Sequence, residues 1–205
     1  MILSVSKRLS SFCARSGIIQ QEDEAIYRYG FEVFLAMVMN FLVLLVIAAI
    51  SRNIWATTMF MTGFIPLRAQ AGGYHAKTHF HCLVILLIVY IAFLITIHLL
   101  MPSWYVYIII MCLSISIPCI WFMSPVEDQN KPLNTLERKH FRSRSRAAIL
   151  IYTVAIIISA LLFNNRKELM CIAFGIFSVS LSLSAACLRN TIIRISNGRA
   201  NAVDK

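Results

Sequence analysis

Two runs of twenty residues without a formal charge, 82–101 (CLVILLIVYIAFLITIHLLM) and 104–123 (WYVYIIIMCLSISIPCIWFM), limit what this chain can fold into. About 20 apolar residues, rising ~1.5 Å each in an α-helix, cover the ~30 Å of a bilayer's hydrocarbon. In lipid every backbone N–H and C=O must be satisfied within the protein, so such runs are read as helices. Residues 33–50 and 170–188 are comparable, 147–163 is a little shorter, and 54–67 (IWATTMFMTGFIPL) is shorter still. Its 14 residues reach only ~21 Å, and Gly63 and Pro66 weaken the helix end. With 59% hydrophobic and 14% charged residues, the chain is too apolar for a single soluble core. The expected fold is an all-α, polytopic integral membrane protein with about six transmembrane helices. Four spans plus two interfacial or re-entrant segments is the rival arrangement.

Charge placement tests the count. Six spans with the N-terminus inside put residues 1–30, 68–81, 124–146 and 189–205 in the cytoplasm. Of the 19 Lys and Arg residues, only Arg52, Arg166 and Lys167 then fall outside, leaving 16 inside. That follows the positive-inside bias at every loop and predicts that both termini are cytoplasmic. The net charge of +10 is accounted for by cytoplasmic loops beside anionic lipid. No recognition motif accompanies the basic loops, so no nucleic-acid partner is expected.

Ile2, Val5, Leu9 and Phe12 recur at helical spacing among Lys7, Arg8 and Arg15. Residues 1–17 therefore read as an amphipathic helix lying on the inner leaflet rather than as a cleaved export signal. There is no internal repeat and no second domain, so 1–205 is expected to form one membrane-embedded unit. The cysteines show neither a C-x-x-C pair nor a disulfide framework. Cys112, Cys119, Cys171 and Cys187 lie within apolar runs, where a thiol commonly does no more than pack.

The segment 68–82, RAQAGGYHAKTHFHC, is different. It sets an arginine, a Gly-Gly pair, three histidines and a cysteine within fifteen residues, in a compartment that keeps thiols reduced. Three readings compete. In the first, Cys82 is a nucleophile whose thiolate is supported by an imidazole, while Gly72-Gly73 amides and Arg68 face the charge that develops on a carbonyl oxygen. In the second, His and Cys ligate zinc, as in a zinc-dependent membrane protease. The pair in HAKTH has the right spacing, but the glutamate of H-E-x-x-H is missing. In the third, the histidines merely hydrogen-bond at the membrane interface.

R-x-x-A-G-G-x-H, followed seven residues later by Cys between hydrophobic runs of a chain near 200 residues, resembles the accessory gene regulator B (AgrB) family. These are membrane-embedded cysteine endopeptidases of the Gram-positive cell membrane that process quorum-sensing propeptides. The resemblance implies Cys82 as nucleophile and His75 as its partner, with Arg68 and Gly73 on positions needed for activity and Gly72 beside them. Residues 68–81 become a catalytic loop facing the cytoplasm. It leaves His79 and His81 without an assigned role. No Asp or Glu lies in the segment to orient the histidine, and Gln70 is the nearest polar candidate. No cofactor and no metal are implied.

Such enzymes remove the C-terminal tail of an AgrD-like propeptide and pass the resulting thioester to an internal Cys or Ser, closing a thiolactone or lactone. The implied partners are that propeptide, membrane lipids and a second copy of the chain as a homodimer. The basic cytoplasmic loop 124–146 carries Lys131, Arg138, Lys139, Arg142, Arg144 and Arg146, which suit an acidic peptide tail; a topology determinant touching headgroups is the plainer reading. A peptide transporter or exporter is the competing function class. Against it stand the scarcity of ionisable groups within the apolar runs and the lack of an ATP-binding motif.

The catalytic assignment carries a geometric demand. In one unbroken helix His75 and Cys82 would lie ~10.5 Å apart along the axis, too far for a thiolate–imidazole pair. The chain is therefore expected to leave the helix somewhere within 68–81, helped by Gly72-Gly73, and to resume it near Cys82.

Overall fold

The structure, a computed structural model, describes residues 2–71, 79–126, 134–163 and 165–203, with side chains for all of these except 79–82 and 192–203. Among the described residues the regular structure is helical: α1 Ile2–Arg15, α2 Glu24–Ile50, α3 Ile54–Ala71, α4 His79–Leu99, α5 Tyr105–Met123, α6 Thr135–Leu162 and α7 Arg166–Val203. Contacts group the chain into two compact units, Met1–Arg52 and Asn53–Lys205.

In the first unit α1 packs along α2. The connection turns through Gly17, whose φ of 69° is the left-handed geometry that glycine adopts without penalty. The helix buries serines and exposes its apolar residues: Ser6 and Ser10 are buried, whereas Leu3 and Phe12 are each 64% exposed. Burying the hydroxyls is tolerable because each donates back to its own helix, Ser6 to the Leu3 carbonyl and Ser10 to the Lys7 carbonyl (both 3.1 Å). Ser11 ties the helices together by donating to the Glu24 carboxylate at 2.5 Å. An exposed apolar stripe beside Lys7 and Arg8 has the chemistry of the amphipathic segment expected from the sequence.

The second unit is a bundle of α3 to α7. Side-chain pairs fix the directions: α3 and α4 run antiparallel (Asn53 with His98, Thr57 with Tyr90), α5 and α7 parallel (Ser116 with Ser180, Cys119 with Ser184), and α5 and α6 antiparallel (Trp121 with Arg146, Ser124 with Arg142). Between lipid-embedded helices there is little hydrophobic drive, so close packing carries association. The crossing of α3 and α7 illustrates this. A Cβ on Gly63 would strike the Ile172 carbonyl, and one on Gly175 the Phe60 carbonyl, so the backbones touch through reciprocal glycines. An aromatic cluster flanks the crossing, with Phe60 4.7 Å from Phe93 and Phe93 5.5 Å from Phe174 between ring centroids.

Among the described residues four helices are long and apolar enough to cross a membrane: Gln21–Ile50, Pro102–Met123, Thr135–Leu162 and Arg166–Thr191, with Leu83–Leu99 a shorter apolar helix. Two boundaries differ from expectation. Helix α3 does not fail at Gly63 and Pro66 but runs through both to Ala71; with three threonines, Arg68 and Gln70, its polarity rather than its length separates it from the other four. Helix α6 starts at Thr135, not near 147, so most of the expected basic loop 124–146 is helical. Its start is built by Asn134 and Glu137: the Asn134 N–H donates to the Glu137 carboxylate (3.0 Å), while the Arg138 N–H donates to the Asn134 carbonyl (2.8 Å). An Asn-x-x-Glu start satisfies donors that a helix end otherwise leaves open.

Candidate active site and its supporting helices

Helices α3 and α4 form a hairpin whose closed end carries the residues singled out above. Arg68 and Gln70, both half-buried, lie in the last turn of α3. His79, His81 and Cys82 lie in the first turn of α4. The antiparallel pairing of Asn53 with His98 and of Thr57 with Tyr90, followed along both helices, brings these two turns to the same end of the hairpin. Gly72, Gly73 and His75 lie outside the described residues, as does Lys131; α3 is described to Ala71 and α4 from His79, and the expected departure from the helix falls on the residues between them, which are outside the described residues as well.

Helix α3 is held by α6 as well. Pro66 has no N–H, which leaves the Thr62 carbonyl one turn earlier without its intrahelical donor. The Tyr152 hydroxyl of α6 donates to that carbonyl at 2.5 Å. At the helix end, the Val126 N–H donates to the Ala71 carbonyl (3.2 Å), so the chain after α5 is tied to the last residue of α3.

That chain is clamped in turn. Arg146 sends Nε and Nη2 to the Trp121 carbonyl (3.1 and 3.0 Å), and its guanidinium lies 4.7 Å from the centroid of the Trp121 ring. Arg142, one turn earlier on α6, donates through Nε to the Ser124 carbonyl (3.3 Å). A forked, flat cation suits both the paired hydrogen bond and the stack. Helix α5 ends there, and its last carbonyls take a favourable positive charge. Ser124 is fully buried, and its hydroxyl has no partner among the described residues.

Of the basic residues proposed from sequence for a peptide tail, Arg142 and Arg146 are thus turned toward backbone carbonyls. Arg138, Lys139 and Arg144 are exposed on the first turns of α6, as is Arg142 apart from its bond to Ser124, whereas Arg146 is half-buried. The clamp is not expected from the sequence, although Arg142 and Arg146 stand four apart, one turn of a helix, and so share a face. Cys119, expected from sequence only to pack, lies between α5 and α7. Its thiol lies 3.3 Å from the Ser180 carbonyl and 3.3 Å from the Ser184 hydroxyl, beside the Ser116–Ser180 pair, forming a polar seam between α5 and α7. Among the described residues no group of three or more His, Cys, Asp or Glu is placed to hold a metal.

No curated protein and no solved structure matches the chain. The family model for accessory gene regulator B matches residues 6–183, nearly the whole of the helical core, and the chain belongs to that family, which serves the processing of quorum-sensing peptides at the membrane.

Proposed function

We propose that this protein is a membrane-embedded cysteine endopeptidase that cuts an AgrD-like propeptide and cyclises the retained part. The observation that carries the reading is the motif running from Arg68 to Cys82 in a chain that belongs to the family, with its two ends on the closing turns of the α3–α4 hairpin. Cys82 acts as the nucleophile: its thiolate attacks the scissile carbonyl, the C–N bond breaks, and the departing amine takes a proton from the His75 imidazolium. Gly72, Gly73 and Arg68 face the oxyanion, and Gln70 supports the histidine. A Cys or Ser within the bound peptide then attacks the thioester, closing the ring and returning the Cys82 thiol. Exchange between thioesters is nearly isoenergetic, and a tethered nucleophile outcompetes scarce water at the membrane interface.

In this reading the chain crosses the cell membrane of a Gram-positive bacterium six times, with both termini and the site on the cytoplasmic side. It works as a homodimer, since a small bundle offers little wall to enclose a peptide. Lys131, Arg138, Lys139 and Arg144 hold the propeptide's acidic tail.

Co-expression with the propeptide, followed by mass spectrometry of the products, tests the reaction. The expected products are the free tail and a peptide lighter by one water than the linear fragment. Equal product from a Cys82→Ala enzyme would remove the nucleophile and the reading with it.

A further inference from the structure

The α5–α6 corner offers a role for Arg142 and Arg146 that differs from peptide binding. Their donors are directed at carbonyls of their own chain, Ser124 and Trp121. The extended segment they hold, 124–126, ends on the Val126 N–H that reaches the carbonyl of Ala71. Ala71 is fully buried and is the last helical residue before the stretch that carries His75. A chain of contacts therefore runs from the start of α6, through the end of α5, to the point where α3 releases the catalytic segment. Helix α6 braces the same helix again at Thr62, through Tyr152.

We propose that Arg142 and Arg146 are positioning residues for catalysis: by clamping the end of α5 to α6 they hold Val126 against Ala71, and so set the direction in which α3 delivers the chain to His75. This role rests on the peptidase reading. Neither arginine touches substrate. Arg142 contributes a single Nε donor to the Ser124 carbonyl; for Arg146 what matters is the planar fork and its stack on Trp121 rather than the charge, because a lysine keeps the charge but has neither the paired donors in one plane nor the flat face.

The test uses the full-length protein in nanodiscs, comparing wild type with Arg142→Lys, Arg146→Lys and the double variant. Cleavage of the propeptide is measured with its native tail and with the tail's acids changed to amides, and hydrogen exchange of the Val126 amide is followed alongside. Lysine keeps the positive charge that topology depends on, so insertion is preserved. The expected result for the double variant is a kcat lower by tenfold or more, since a misplacement of ~1 Å can cost about a hundredfold. KM should stay near wild type, the defect should be the same with either tail, and Val126 exchange should be at least tenfold faster. Wild-type kcat in the double variant would overturn the proposal. So would a KM increase that disappears with the neutral tail, since that marks the arginines as docking groups. Should the wild-type protein fail to cleave the propeptide at all, the peptidase reading falls, and unchanged Val126 exchange in the double variant would separately overturn the clamp.

Discussion

The Tyr152 hydroxyl donates to the Thr62 carbonyl, the acceptor that Pro66 strips of its intrahelical partner. A defect in one helix is thereby filled by a side chain 90 residues away on another, and α3 continues to Ala71 instead of breaking midway.

Tyr152→Phe should therefore lower stability by about 1 kcal/mol, the usual scale for an interhelical hydrogen bond in lipid. In a Pro66→Ala background, where an amide again faces Thr62, the same change should cost distinctly less. A double-mutant cycle by reversible unfolding in detergent measures the difference; equal losses in both backgrounds would deny the coupling.

The reciprocal glycines make a second expectation. A methyl at Gly63 or Gly175 meets backbone carbonyl rather than a movable side chain. Gly63→Ala and Gly175→Ala should each destabilise by about 1–3 kcal/mol as α3 and α7 are pushed apart. Gly30 on α2, with nothing near its missing Cβ, serves as the control: Gly30→Ala should be neutral or slightly stabilising. Thermal unfolding of the three variants in one detergent gives the comparison.

Cysteine substitutions separate chemistry from packing. Cys82→Ala and His75→Ala should abolish propeptide cleavage while membrane insertion persists. Cys13→Ala, Cys112→Ala, Cys171→Ala and Cys187→Ala should keep it. Cys119→Ala should keep it too, with a stability loss of about 1 kcal/mol from the polar seam between α5 and α7. Activity should survive strong zinc chelators; a chelator-sensitive enzyme would restore the metal reading of the histidines.

Arg138, Lys139 and Arg144 should behave differently from the clamped pair Arg142 and Arg146. Reversing Arg138, Lys139 and Arg144 to Glu should raise KM for an acidic-tailed propeptide with little change in kcat. The effect should shrink as salt rises, because exposed charges are screened within about 8–10 Å at ordinary ionic strength. Steady-state cleavage at two salt concentrations checks it, and a KM indifferent to salt and to charge reversal would dismiss the docking role.

Residue order alone determined a good deal here. Long charge-free runs have no low-energy state in lipid except a helix that satisfies its own backbone, so α2, α4, α5 and α7 were legible, in outline, from 33–50, 82–101, 104–123 and 170–188. The candidate site was legible because Arg68, Gly72-Gly73, His75 and Cys82 are chemically rare in such a setting and stand at telling intervals. The early start of α6 was also written locally, in Asn134 and Glu137, but the density of charge from 138 to 146 masked it. Tertiary structure alone decided the rest. That Arg146 stacks on Trp121, that Val126 binds Ala71, that Tyr152 completes Thr62 and that Gly63 meets Ile172 are pairings between helices. A helical period reports which residues share a face of their own helix, but not which face of which neighbour that face will meet. That choice was made by the close fit of backbones and by buried carbonyls finding donors, and both exist only once the bundle is assembled.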